Sequence, residues 1–451
     1  MPKISARELA LQVLIDTEQN GAFANLALNK ALEKHRPGKL DRAFATELVY
    51  GVLRSLNTLD WVLKQFVSQP LERQPLAIRN ILRLGVYQLM YMDRVPPAAA
   101  CNEAAELARR YGHRGLVRFV NGVLRNVVRR LDEIKYPSLE ENPVEHMALK
   151  YSHPAWLVKR WLEELGLDAT MAICQADNEP APNTIRTNTL KTGRDELVAR
   201  LTREGVTAVK TDLAPEGLYI GGFLSLGSLE SFREGLFQVQ DESSMLAGRA
   251  LSPLTGSFVI DACSAPGGKT THLAQLMGNS GKILAFDIHP HKLELIKENC
   301  LRLGIDIVQV AVNDARKLPE EYIEQADFVL VDAPCSGLGV LRRRPDARWR
   351  KDPADIPALV QLQSEILAGA ARCVKKGGVL LYSTCTVTRE ENLGQVEDFL
   401  SHHPWFALED LTPFLPEAVD RRGTRSKGYI QIYPGENRMD GFFMARMRNK
   451  G

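Results

Sequence analysis

From Phe258 onward the chain alternates short apolar runs with helical stretches, and this restricts the possible fold more than any other feature of the sequence. The runs at 258–260, 283–286, 307–310, 328–331 and 379–382 are strand-like, and stretches such as 292–303 and 356–374 are helical. Short apolar strands separated by helices of ten or more residues form βαβ units, so a parallel sheet covered by helices is expected.

Upstream the pattern differs. Residues 1–135 read as five to seven helices: Ser5-Ala-Arg-Glu8 is a capping box ahead of Leu9, Val13 and Leu14, and Asp41 is expected to cap a second helix carrying Phe44, Leu48, Val49 and Val52. Periodic segments follow at 57–67, 75–91, 98–110 and 115–131. Polar, proline-bearing sequence near 136–143 marks a boundary. Helices at 156–165 and 194–204, with strands at 184–187, 208–211 and 218–220, make a small α+β module. The expected architecture is therefore multidomain: an all-α domain at 1–140, a small α+β linking domain at 141–240 and an α/β Rossmann-like domain at 241–451.

Composition excludes several classes. At 45% hydrophobic and 25% charged residues, the 451-residue chain is ordinary globular sequence, and no apolar run is long enough to span a membrane. The start, with Glu8 and Asp16 inside its apolar stretch, is not expected to act as a signal peptide. Seven widely spread cysteines without a C-x-x-C pair suggest neither disulfides nor a zinc module, so a cytoplasmic protein with reduced thiols and no metal is expected. Net charge is only +2, but residues 1–150 hold 22 Lys and Arg against 16 Asp and Glu. Within that part, 109–130 contains seven arginines and no acid.

The first chemical motif is Phe258-Val-Ile-Asp-Ala-Cys-Ser-Ala-Pro-Gly-Gly-Lys-Thr270, a strand running through a glycine turn into a helix. Gly267 and Gly268 let a ligand approach the backbone, where a helix start offers unpaired N–H groups. A P-loop would need glycine at position 263, which is Cys263. A nucleoside site instead requires an acid at the end of the next strand, and Asp287 stands nineteen residues after Gly268. Asp314 follows the third strand, placed to reach an adenine edge. Acids after three successive strands (Asp261, Asp287, Asp314) suit a nucleoside better than a triphosphate.

Strand four ends Asp332-Ala-Pro-Cys335, and strand five ends Ser383-Thr-Cys385. Both thiols are expected in the ligand cleft, because open parallel sheets bind ligands at the carboxyl ends of their strands. A lone cysteine is usually inert; two at adjacent cleft positions, one behind a carboxylate, point to a nucleophile. Such a site suits methylation at carbon 5 of a pyrimidine. Thiolate addition at carbon 6 makes carbon 5 nucleophilic, and a second group must later take the carbon 5 proton. Spacing alone leaves open which thiol attacks.

These motifs, with Gly235-Leu-Phe-Gln-Val-Gln-Asp-Glu-Ser-Ser244 and Met439-Asp-Gly-Phe-Phe443, resemble those of the RNA 5-methylcytosine methyltransferases over residues 150–447. The resemblance implies a class I methyltransferase domain using S-adenosyl-L-methionine. It implies Cys385 as nucleophile, Cys335 as the thiol that helps release product, Asp332 on the target cytosine and Lys269 at the same site. It also implies a donor site formed by Cys263, Ser264, Ala265, Pro266, Gly267, Gly268, Lys269, Asp287, Asp314 and Asp332. In DNA 5-methylcytosine enzymes the Pro-Cys thiol attacks instead. The helical N-terminal region resembles NusB-type RNA-binding domains. Together the two halves resemble bacterial small-subunit rRNA methyltransferases, which implies 16S rRNA, free or in an early particle, as partner; a monomer is expected.

Two basic segments are expected to meet the RNA. Arg109, Arg110, Arg114, Arg118 and Arg125 belong to the acid-free stretch, where 114, 118, 125 and 129 fall on one helical face. The segment 341–351, with Arg342, Arg343, Arg344, Arg348 and Trp349, follows Cys335 and combines phosphate contact with base stacking. Two other readings stand beside the enzyme. One is a P-loop-like NTPase, since 328–332 also imitates a Walker B strand. The other is a non-catalytic RNA-binding assembly factor.

Overall fold

The computed structural model describes residues 4–223 and 225–451, which form two compact units. The first takes the chain to Pro180 together with Leu341–Pro353; the second takes Ala181–Val340 and Ala354–Gly451.

In the first unit, helices Ala6–Gln19, Ala24–His35, Lys39–Arg54, Leu56–Lys64, Leu76–Tyr91, Pro97–Tyr111 and Arg114–Arg130 bury one apolar face each around Leu9, Leu48, Ile81 and Leu124. Ser5 caps the first helix, accepting the Glu8 N–H at 3.2 Å. Asp41 does not cap the third. Gly38 occupies that position, and Asp41 lies in the first turn, where its charge still meets the helix dipole. The helix Ala24–His35 carries helical spacing but no capping residue. Its buried face is Ala24, Ala27, Leu28 and Leu32, and Phe23 at its start offers no capping oxygen. Helices Pro143–Lys150, Ala155–Leu165 and Leu167–Ala176 complete this unit, so the part of 141–240 up to Pro180 lies with the N-terminal helices.

The second unit contains two sheets. Strands β1 (Asn183–Thr187), β2 (Thr207–Lys210), β3 (Gly217–Gly221) and β4 (Phe237–Val239) form an antiparallel sheet in the order β2-β3-β1-β4. The larger sheet contains β5 (Phe258–Asp261), β6 (Lys282–Asp287), β7 (Val308–Val312), β8 (Ala326–Asp332) and β9 (Val374–Thr384), all parallel. It continues through antiparallel β10 (Phe406–Leu408), β11 (Tyr429–Ile432) and β12 (Phe442–Asn449). The order is β10-β12-β9-β8-β5-β6-β7, with β11 also paired to β12.

Strand alternation divides the parallel half between two cores. Val259, Ile283, Leu330 and Leu381 point to one face, and Ile260, Leu284, Val331 and Leu380 to the other. Burial on both faces explains why these strands read as unbroken apolar runs.

Candidate active site

The chain runs outward from β5 in one direction through β6 and β7, then returns to β8 and β9 on the other side. The β5/β8 boundary is therefore a topological switch point, where ligands of open α/β sheets bind. Register sets Asp261 beside Leu330 and Asp332 beside Ser383, which brings the chemical motifs to one end of the sheet.

After β5 the turn is fixed from within. Ser264 donates its backbone N–H and its hydroxyl to the Phe286 carbonyl at 2.9 and 2.8 Å, and the Gly267 N–H donates to the Ser264 carbonyl at 2.8 Å. Gly267 has φ +97°, a conformation L side chains rarely adopt. The helix Gly268–Leu276 begins at the next residue, and a Cβ on Gly268 would meet nothing within 4 Å. Asp287 accepts the N–H groups of Ala265 (3.3 Å) and His289 (2.9 Å). An open glycine cradle at a helix start with an adjacent strand-end carboxylate fits a nucleoside-bearing cofactor. From β1, the fully buried Arg186 donates to the Gly268 carbonyl (2.7 Å), Thr271 Oγ1 (3.0 Å) and Gln275 Oε1 (3.2 Å), anchoring the helix that follows the turn.

Beyond β8 and β9 the two cysteine loops meet. Cys335 Sγ lies 3.4 Å from Cys385 Sγ. The hydrogen bond with Cys385 and burial push the Cys335 thiol well above its ordinary value, so Cys335 keeps its proton. Lys269 Nζ donates to Asp332 Oδ2 at 2.7 Å and lies 5.0 Å from the Phe442 ring centroid. Ser383 Oγ donates to Asp332 Oδ1 at 2.9 Å. The loops are laced by Gly339 N–H to the Cys385 carbonyl (3.0 Å) and Gly441 N–H to the Gly339 carbonyl (2.8 Å). A Cβ on Gly339 would stand 2.3 Å from the Gly441 oxygen, so only glycine closes this crossing.

Asp261 sits under this cluster, with Thr270 Oγ1 donating to it at 2.7 Å. Burial, helped by the Asp332 charge, pushes its carboxyl from 3.8 to about 7. A folded-state value above the unfolded one means that the native protein holds an extra proton between about pH 4 and 7. Its stability then falls as pH rises through that window and levels off above it. Asp261→Asn removes this cost. The stability difference between variant and wild type is expected to grow by about 2.5 kcal/mol from pH 5 to pH 8. Urea denaturation of the cofactor-free protein at the two pH values measures it, and an equal difference at both would refute it.

Lys269, Asp332, Cys335 and Cys385 thus converge, with the Cys263–Gly268 turn and Asp287 on the same sheet end. Cys263 is held as a thiol by burial and by the charges of Asp261 and Asp332. Asp314 is already engaged: it caps Ala315–Lys317 and pairs with Arg316 at 2.7 Å. Ser383, Phe442 and Arg186 are additional members. Ser383 and Phe442 lie inside the Ser383-Thr-Cys385 and Met439–Phe443 motifs, whereas nothing in the sequence marks Arg186.

The segment 341–351 requires a correction. Arg348 is fully buried in the helical unit and Arg342 nearly so. Arg348 donates to the carbonyls of Ser152 (2.7 Å), Asp177 (3.1 Å) and Arg54 (3.2 Å) and to Asn178 Oδ1 (3.0 Å). Trp349 gives its indole N–H to the Leu53 carbonyl at 2.6 Å. These donors are consumed internally and are not available to phosphate or a base; Arg343 is half-buried and Arg344 exposed. On the helical face, Arg114, Arg118, Arg125 and Arg129 are exposed, and none forms an ion pair among the described residues. Arg109 pairs with Glu106 and Arg110 with Glu8.

A parallel sheet with a glycine turn after its first strand, and a carboxylate and paired thiols beyond its switch point, defines the class as a methyltransferase fold. Comparisons with known proteins narrow it. Residues 249–448 match the profile of 16S rRNA methyltransferase RsmB/F, 4–129 the NusB family, and 153–226 an RsmF/B-like ferredoxin-like domain. The chain is 43% identical over 455 residues to a probable ribosomal RNA small subunit methyltransferase B of Bacillus subtilis, covering 100% of both chains. It is similar to the crystal structure of PH0851 (TM-score 0.82, 32% identity, 98% of this chain and 99% of that one). It is also similar to NSun6 from Pyrococcus horikoshii solved with SFG (TM-score 0.60, 28% identity, 66% of this chain and 98% of that one). The chain belongs to the RsmB/F family of 16S rRNA methyltransferases.

Proposed function

We propose that this protein transfers a methyl group from S-adenosyl-L-methionine to carbon 5 of a cytosine in 16S rRNA, through a covalent bond between Cys385 and the base. The observation that carries this reading is the 3.4 Å approach of two thiols beside a carboxylate held by Lys269 and Ser383. The cofactor, when bound, supplies an electrophilic methyl group. The Cys263–Lys269 turn would receive it, with Asp287 toward the ribose and Asp314 toward the adenine end.

Cys385 forms the S–C6 bond, which pushes electrons to C5 so that C5 takes the methyl group. Asp332 holds the base through its ring-nitrogen edge. Solvent water takes the C5 proton, the C5–H electron pair returns to the ring, and the S–C6 bond breaks to expel the Cys385 thiolate. Cys335, held protonated against Cys385, is placed to return a proton to the departing sulfur. Arg114, Arg118, Arg125 and Arg129 form the RNA-facing stripe of a monomeric, cytoplasmic enzyme.

The test is incubation of purified protein with methyl-labelled S-adenosyl-L-methionine and unmethylated small-subunit rRNA, followed by nucleoside analysis. Label in 5-methylcytosine is expected. Label in another nucleoside overturns the cytosine-5 assignment; no label on free rRNA or on particles overturns the enzymatic reading. Replacing the four stripe arginines by alanine is expected to weaken RNA binding and to lower the slope of log K against log salt by about 3, at unchanged kcat on saturating RNA. An unchanged slope would remove the stripe from the interface.

A further inference from the structure

Each cysteine of the pair is followed by a hydroxyl residue, Ser336 and Thr386, and these two oxygens lie 2.6 Å apart. Both belong to a buried network centred on Glu391, which is completely inaccessible to solvent. Glu391 Oε1 accepts the Ser336 N–H at 2.8 Å and the Gln363 amide at 3.0 Å. Glu391 Oε2 accepts the Ser336 hydroxyl at 2.6 Å and the Thr388 hydroxyl at 2.7 Å. The same Gln363 amide donates to the Pro334 carbonyl at 2.9 Å, and Tyr382 gives its hydroxyl to the Glu391 carbonyl at 2.7 Å. One side chain is therefore bonded to the loop after β8 and the loop after β9.

We infer that Glu391 is a positioning residue whose carboxylate sets the approach of Cys335 to Cys385: it holds Ser336 directly, and Thr386 through the Ser336 hydroxyl and a longer 3.4 Å contact of its own. A carboxylate is suited to this because both oxygens accept, each more than once. An amide of the same shape offers one oxygen, and its NH2 group would confront Ser336, Gln363 or Thr388 donor to donor. A buried network deprived of one acceptor relaxes to satisfy the rest, and here relaxation means separating the two loops. The consequence for the reaction rests on the proposed function; the thiol spacing does not.

The experiment uses full-length Glu391→Gln and Thr388→Val, the second of which removes one donor and keeps the carboxylate. For Glu391→Gln, cofactor affinity is expected within about twofold of wild type, kcat lower by roughly 10- to 100-fold and KM for RNA within about threefold. Diamide removes one hydrogen from each thiol to form the Cys335–Cys385 disulfide, and this step is expected to slow about tenfold. Thr388→Val is expected to fall between the two, and it decides the matter if the glutamine variant does not fold. Disulfide formation reads thiol geometry without methyl chemistry, so it stands even if the proposed reaction fails. A disulfide rate within about twofold of wild type in the folded variants overturns the inference, whether or not activity falls.

Discussion

Cys385→Ala is expected to abolish methyl transfer, with a loss of about 10⁴-fold or more, while cofactor and RNA binding persist. Without a thiolate to add at carbon 6, carbon 5 of cytosine is too weakly nucleophilic to take the methyl group, and the remaining thiol, Cys335, is held protonated. Cys335→Ala should fail differently. Addition and methylation proceed, but the thiol that faces Cys385 at 3.4 Å is gone, so product release slows and an RNA–protein adduct stable to denaturing gels accumulates. Gel analysis with labelled RNA separates the cases. An adduct in Cys385→Ala and none in Cys335→Ala would exchange the two roles.

Arg348→Ala should produce the largest loss of stability. The side chain is fully buried, and burial lowers its guanidinium to about 10, yet it still supplies donors to four main-chain carbonyls and Asn178. Truncation leaves those acceptors in a cavity, at a cost of about 4 kcal/mol. Four of the five tryptophans (Trp61, Trp156, Trp161 and Trp349) lie in the same unit, so denaturation followed by fluorescence reports on it directly. Arg348→Lys should recover only part of the loss, because an ammonium cannot reproduce the planar fork. A change below about 1 kcal/mol for alanine would show that these hydrogen bonds are not needed for stability.

The contrast between the two arginine-rich segments shows what a sequence can reveal. At 114–129 the spacing itself carries information: charges four and seven apart share a helical face, and the structure leaves them exposed. At 342–349 composition suggested the same role, but donor groups look alike whether they face phosphate or main-chain carbonyls. Only the fold brings Ser152 and Asp177 to Arg348. The parallel strands and the glycine turn were legible because burial on both faces and a positive φ leave apolar runs and glycines behind. Strands β10 and β11 were not, since Phe406–Leu408 and Tyr429–Ile432 are too short for periodicity, and β12 was not because it is buried along nearly its whole length and shows no alternation. The convergence of both cysteines followed from strand ends in a parallel sheet. Glu391 escaped because its partners come from two loops and a separate helix, Asp355–Ala371.

The placement of Leu341–Pro353 within the helical unit has a consequence for how the molecule is made. A ribosome delivers the helices through Leu167–Ala176 early, but Arg348 and Trp349 emerge only after β1 to β8 have been synthesised. Until then the carbonyls of Leu53, Ser152 and Asp177 lack their eventual donors. The first unit to begin folding is thus completed by a late insertion, and a fragment ending at Pro180 lacks the piece that closes its own interior.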